Sequence, residues 1–231
     1  MSSLTVDDLH FEVRGSAQRR TLQVTVDRGG ELVLYVPPDC DSAAVEEFVR
    51  ERRLWIYKKL AEKEALVRPV ATKEYVNGEG FPYLGRSFRL LLVDEQAVPV
   101  KLEAGRFKMR RSAAADGRTH MVHWYSVHAQ TWLTDRASTL ALRVGVNPSK
   151  VAVQDLGYRW GSCGRGDKLY FHWMSVLLPP GIAEYVVAHE LVHLAESRHS
   201  PDFWLRVERA MPDFASRKRW LAVNGHMVGG I

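Results

Sequence analysis

The segment His189-Glu190-Leu191-Val192-His193 sets two imidazoles four residues apart, with a carboxylate beside the first. On a helix, residues four apart lie one turn apart on the same face, so both rings can address one ion. Histidine ligation suits zinc, Zn2+, better than magnesium or calcium. Glu190 then faces a water held in the ion's open coordination position. Zinc lowers the pKa of such a water to about 7, and a nearby carboxylate can take its proton and pass it to a leaving group. The H-E-x-x-H spacing therefore points to a hydrolytic zinc site with His189 and His193 as ligands and Glu190 as general base.

A catalytic zinc site needs a third protein ligand. His199 lies six residues after His193, the metzincin spacing, although Glu196 stands where that pattern has glycine and no Met-turn follows. To use His199, the helix must end near Ser197-Arg198 and the chain must swing back. Glu196 is the rival, about two helical turns beyond His189 on the same side. His199 is preferred, because a residue seven positions along a straight helix sits too far from the ion.

The elements around these residues can be read from spacing. Pro179-Pro180 starts a helix that runs through Ala183 to about Ser197, and Ile182, Tyr185, Val186, Val187, Leu191 and Val192 make it apolar on most sides. Strands are expected at 151–155 and 168–178, bracketing Tyr158-Arg159-Trp160-Gly161-Ser162-Cys163, with 169–176 as an edge strand able to pair with an extended peptide. Residues 119–144 read as a long helix ended by Gly145 and Asn147-Pro148, and 203–221 as one or two short helices. Phe203, Trp204, Val207 and Trp220 would there cap the metal helix. Upstream, strands 22–26 and 32–36 flank a turn at Arg28-Gly29-Gly30, and a helix runs from Ala43 to about Val67. Strands at 74–76, 82–84, 88–93 and 98–110 follow, with turns at Asn77-Gly78 and Leu84-Gly85. The small, polar run Ser112 to Gly117 reads as a linker. The expected organisation is thus α+β: a β-rich domain over 1–115 with one long helix, then a catalytic domain over 116–231. No internal repeat is evident.

Composition narrows the classes. The chain has 231 residues, 46% hydrophobic and 26% charged, as ordinary globular proteins do. No apolar run approaches the roughly 20 residues that span a bilayer, and the first 14 residues carry no signal-peptide core. A cytoplasmic protein without a membrane partner is expected. Two cysteines, Cys40 and Cys163, exclude a disulfide framework and a cysteine-rich zinc knuckle. The net charge of +5 is gathered in clusters such as Arg50, Arg52 and Arg53, or Arg106, Lys108, Arg110 and Arg111. A solvated surface is the simpler reading, and nucleotide or nucleic-acid contact through the basic N-terminal half is the alternative.

Several motifs taken together carry a resemblance. Arg159-Trp160-Gly161-Ser162-Cys163, His172-Trp173, Pro179-Pro180, Tyr185-Val186-Val187-Ala188, His189 to His193, and His199-Ser200 with Phe203-Trp204 are similar to the YgjP-like metallopeptidase family. That family is related to the SprT-like and minigluzincin zinc peptidases. Arg19-Arg20, Trp55-Ile56 and Tyr83-Leu84-Gly85 extend the resemblance over the chain. It implies a zincin-like domain with the H-E-x-x-H helix packed on a small sheet, zinc on His189, His193 and His199, Glu190 as general base, and peptide or protein substrates. His172 departs from it, standing where the family usually has asparagine before the tryptophan.

Other residues have simpler readings. Cys163 is expected to be a buried small residue, and Arg159 and Trp160 either touch substrate or pack on the metal helix. Tyr158, Tyr170 and Tyr185 are candidates to stabilise an oxyanion, with core packing as the default. His120, His123 and His128 are read as surface or packed residues rather than a second metal site. Three functions compete: a metallopeptidase, a zinc-dependent nucleoside triphosphate pyrophosphatase, and a DNA-associated protease module. Oligomeric state is not legible.

Overall fold

The computed structural model describes residues 2–15, 19–26, 31–38, 40–64, 72–157 and 159–231. The fold is α+β, with three sheets and six α-helices among the described residues. None of these helices is long and apolar enough to cross a membrane. The chain forms two compact units, 1–69 and 70–231.

In the first unit, β1 (Ser2–Val6), β2 (Leu9–Gly15), β3 (Gln23–Val26) and β4 (Leu32–Val36) form a sheet of order β1-β2-β4-β3. The β2/β4 pair is parallel and the two outer pairs are antiparallel. The Arg28-Gly29-Gly30 turn lies outside the described residues, but the strands it was expected to join do pair. Leu9 and Phe11 of β2 and Leu32 and Leu34 of β4 turn to one face, as period-two alternation requires, and cluster with Val45, Val49 and Ile56. Those three come from α1 (Ser42–Glu51) and α2 (Arg53–Glu64). One continuous helix was expected here. Instead Arg52 leaves the helical run, its N–H bonding to Val49 O at 3.1 Å. The expected end near Val67 lies outside the described residues.

The second unit opens with β5 (Gly80–Tyr83), β6 (Arg86–Val93), β7 (Val100–Glu103) and β8 (Arg106–Arg110), in the order β5-β6-β8-β7. Again the central pair is parallel and the outer pairs antiparallel. The two four-stranded sheets thus share one strand order, a recurrence of topology that the residues did not disclose as a repeat. The single strand expected over 98–110 is a hairpin, turned at Ala104 and Gly105 with φ of 49° and 74°.

The expected boundary at 115/116 falls inside this second unit. Residues 111–116 form a 3-10 turn that runs straight into α3 (Gly117–Val144). A Cβ on Gly117 would lie 2.3 Å from the Tyr75 ring, so this glycine lets a ring lie against the helix rather than loosening a linker. From α3, Met121, Tyr125, Ala129, Leu133 and Ala137 bury a stripe at four-residue spacing. The same core holds Phe81 and Phe107 from the sheet and Leu191 and Val192 from the H-E-x-x-H helix. A hydrophobic core shared in this way leaves no cleavage plane at 115.

Beyond α3, β9 (Lys150–Gln154), β10 (Gly161–Gly164) and β11 (Lys168–His172) form a small sheet of order β10-β11-β9. The strand expected to reach 178 stops at His172, where a 3-10 turn, 173–177, begins. β11 is therefore the central strand, and 169–176 is not an edge. Of the two true edges, β9 is sealed by α3: the Gln130 side-chain amide donates to Val151 O and accepts from Val153 N–H, both at 2.9 Å. β10 is the other edge. α4 (Pro180–Val192) packs against it, and α5 (Pro201–Ala210) and α6 (Phe214–Asn224) lie against α4.

Candidate metal centre

Pro180 starts α4 at a position where a missing N–H costs nothing, and the helix is buried on nearly all sides. His189 and His193 stand one turn apart, with ring centroids 4.9 Å from each other. The helix ends at Val192, earlier than spacing suggested, and His193 is its C-cap. The chain then folds over itself, with Glu196 N–H bonding to Val192 O at 2.9 Å. Pro201 disfavours helical backbone at Ser200, which instead caps α5 by accepting from Phe203 N–H at 3.2 Å. This reversal returns His199 to the helix.

The three imidazoles converge. His199 Nε2 lies 3.0 Å from His189 Nε2, and one nitrogen from each of His189, His193 and His199 falls within 4.8 Å of the others. Phe203, fully buried, forms the floor, its centroid 5.0, 4.6 and 4.7 Å from those of His189, His193 and His199. Trp204 stacks on His199 at 5.6 Å. The expected C-terminal cap thus reaches the imidazoles themselves.

The donor set fits a divalent ion. A tetrahedral ion with bonds of about 2.0–2.1 Å spaces its ligand nitrogens by roughly 3.3 Å, close to the His189–His199 separation of 3.0 Å. His193 Nδ1 bonds to Glu196 O at 3.0 Å, which puts its proton there and turns the Nε2 lone pair to the cluster. His189 is held neutral. Burial first, then the neighbouring His193 and His199, push its pKa down to about 3. Its Nδ1 is buried without a hydrogen-bond partner. Burial also lowers His199.

Glu190 is 8% exposed and lies under β10. Burial raises its carboxyl to about 7, against the opposing pull of the Arg159 guanidinium and of the Cys163 backbone N–H beside it. A cleft of about 440 Å³ opens over these groups, walled by Gly161, Ser162 and Cys163 and floored by the imidazoles and Glu190. A smaller cavity of about 230 Å³ adjoins it, between Arg159, Trp160, Tyr185, Val186 and Leu221. Such a constellation, three converging imidazoles and a buried carboxyl beside an open strand, is equipped for metal-assisted hydrolysis of an extended substrate.

A family model described as the YgjP-like metallopeptidase domain matches residues 20–224. The chain belongs to that family. No curated protein matches it. The crystal structure of the metallopeptidase zymogen abylysin from Pyrococcus abyssi aligns at 22% identity with a TM-score of 0.35. That alignment covers 38% of this chain and 91% of that one.

The remaining sequence candidates of this YgjP-like chain sort by position. The Glu196 carboxylate is outside the imidazole cluster, and only its carbonyl serves the site. His172, 2% exposed, accepts from Met174 N–H through Nδ1 and bonds to Asp155 through Nε2, 3.2 Å away, so it is engaged elsewhere. Tyr170 lies under Gly164, on the face of the β10–β11 hairpin away from Glu190. Tyr185 lines the smaller cavity with its pKa raised by burial, and by the Glu190 charge, to about 12. Tyr158 lies outside the described residues. Cys163 is half-buried, with its thiol pKa raised by burial. His120 and His123 line a separate cavity, and His128 stacks on Trp124 at 3.7 Å. They form no second metal group among the described residues. The role of β10 escaped sequence reading, because Gly-Ser-Cys-Gly lacks the branched residues that mark a strand.

Proposed function

We propose that the protein is a zinc peptidase in which His189, His193 and His199 hold the ion and Glu190 is the general base. The convergence of three imidazole nitrogens beside a buried carboxyl carries this reading. Bound there, zinc would act as a Lewis acid on the scissile carbonyl and acidify its coordinated water. Glu190, near neutrality in its pKa, takes the proton from the attacking water and returns it to the departing amine. Among the described residues, Tyr185, protonated at neutral pH, is a phenol beside this chemistry, its ring centroid 6.0 Å from that of His189.

β10 supports a peptide substrate. His172 N–H donates to Trp160 O at 2.9 Å, which fixes the ladder's alternation. Among the described residues, the backbone groups of Gly161 and the carbonyl of Cys163 therefore point away from β11, to the side no strand occupies, while the Cys163 N–H on that side faces Glu190. An extended peptide can pair there by strand addition. The phosphohydrolase and DNA-associated readings gain no comparable support, since several basic clusters are occupied by acids: Arg14 with Glu12, Arg50 with Glu46, Lys108 with Glu103 and Arg111 with Asp94. A panel of peptides and nucleoside triphosphates tests the choice. Peptide cleavage lost in Glu190→Gln with zinc retained is the expected result; phosphate release lost in the same variant would overturn it.

A further inference from the structure

We infer that Gly161 is a positioning residue for Glu190: its missing side chain is the space in which the carboxyl arm lies. A Cβ built at position 161 would stand 2.6 Å from Glu190 Cγ, 2.8 Å from Oε1 and 2.9 Å from Cδ. Real contacts of that kind do not occur, so any residue but glycine displaces the arm. The Cys163 N–H, two residues on, also lies beside the Glu190 carboxyl and favours its charged form. β10 thus meets the arm twice, through the space left at 161 and through the backbone amide at 163.

The two contacts follow from strand geometry. Gly161 and Cys163 share one face of β10, the face against which α4 packs, while Ser162 and Gly164 share the other. Gly164 faces Tyr170 instead, the atoms nearest a Cβ there belonging to Tyr170 and Lys168. Glycine at 161 is therefore not a turn requirement. Its backbone is part of a paired strand, in register with Phe171. The strand that walls the cleft and the residue that would move the proton are coupled at one Cα. A peptide laid along β10 then meets a base whose reach is set by the strand it has bound.

This role rests on the reading of Glu190 as the base, so the test separates structure from catalysis. In metal-free protein labelled with nitrogen-15, the Cys163 amide proton reports the nearby Glu190 carboxyl. Gly161→Ala is expected to move that signal towards its position in Glu190→Ala. In zinc-loaded protein, Gly161→Ala should lower kcat about 100-fold, the effect of a misplacement near 1 Å, with KM and zinc content unchanged. If Gly161→Ala does not fold, Gly161→Ala/Glu190→Ala relieves the clash and is expected to fold; failure of both refutes steric coupling. An unmoved Cys163 signal, or kcat lost only in step with zinc, overturns the inference. Should the wild type cleave no peptide, the peptidase reading falls, and the amide signal alone still decides whether Gly161 seats Glu190.

Discussion

Burying Glu190 should carry a measurable penalty in the metal-free protein. Its carboxyl rises from the ordinary 4.5 to about 7, so the folded state binds a proton more tightly than the unfolded chain. The sign follows: stability from this group is full below pH 4.5 and is lost as pH rises through 7. A shift of that size corresponds to about 3 kcal/mol. Glu190→Gln removes the titration and keeps an oxygen for the Cys163 N–H, though its amide brings new polar atoms into a buried place. The absolute change is therefore less telling than its pH dependence. Measured after chelation, the Tm of Glu190→Gln relative to wild type should improve by roughly 5–10 °C between pH 5 and pH 8.5, at about 2–4 °C per kcal/mol for a unit of this size. His189, held to about 3, shifts stability the opposite way, being lost as pH falls below 6.5. It is present in both proteins and cancels from the difference. A Tm difference equal at the two pH values would refute the claim that the fold desolvates this carboxyl.

Three further outcomes follow from the geometry. Phe203→Ala removes the floor beneath three rings and should destabilise the protein by about 3–5 kcal/mol in thermal or urea unfolding. It should also weaken zinc binding roughly 10–100-fold by competition with a chelating dye; unchanged affinity would show that ring packing does not orient the ligands. His199→Ala, at an exposed position, should leave the far-ultraviolet circular dichroism unchanged while zinc falls below one ion per chain after dialysis. A fragment spanning 116–231 should not fold, whereas 70–231 should give a cooperative thermal transition, because Phe81 and Phe107 pack in the same core as Tyr125.

What the sequence made legible was local chemistry. Four-residue spacing placed His189 and His193, and Pro179-Pro180 marked the helix start. His199 could be preferred over Glu196 from reach alone, while the hinge that delivers it depends on Ser200-Pro201 and on the His193 bond to Glu196 O. Non-local facts were harder. β10 is a strand because β11 pairs with it, not because its residues favour one. Ser112 to Gly117 has the composition of a linker, yet Ala113 is buried and Gly117 lies against Tyr75. The shared order of the two four-stranded sheets is carried by pairing alone, which residue identity need not repeat. Gly161 shows the same limit, since a missing side chain acquires meaning only beside the one that fills its place.

Gln130 has a consequence for traffic at the small sheet. By occupying both an acceptor and a donor of β9, it withdraws that margin from any visiting chain. Visitors are left a single berth, beside Glu190. Neighbouring molecules that might otherwise zip together along β9 find it already fastened, so the same glutamine that steers a guest to the cleft also discourages the protein from joining itself.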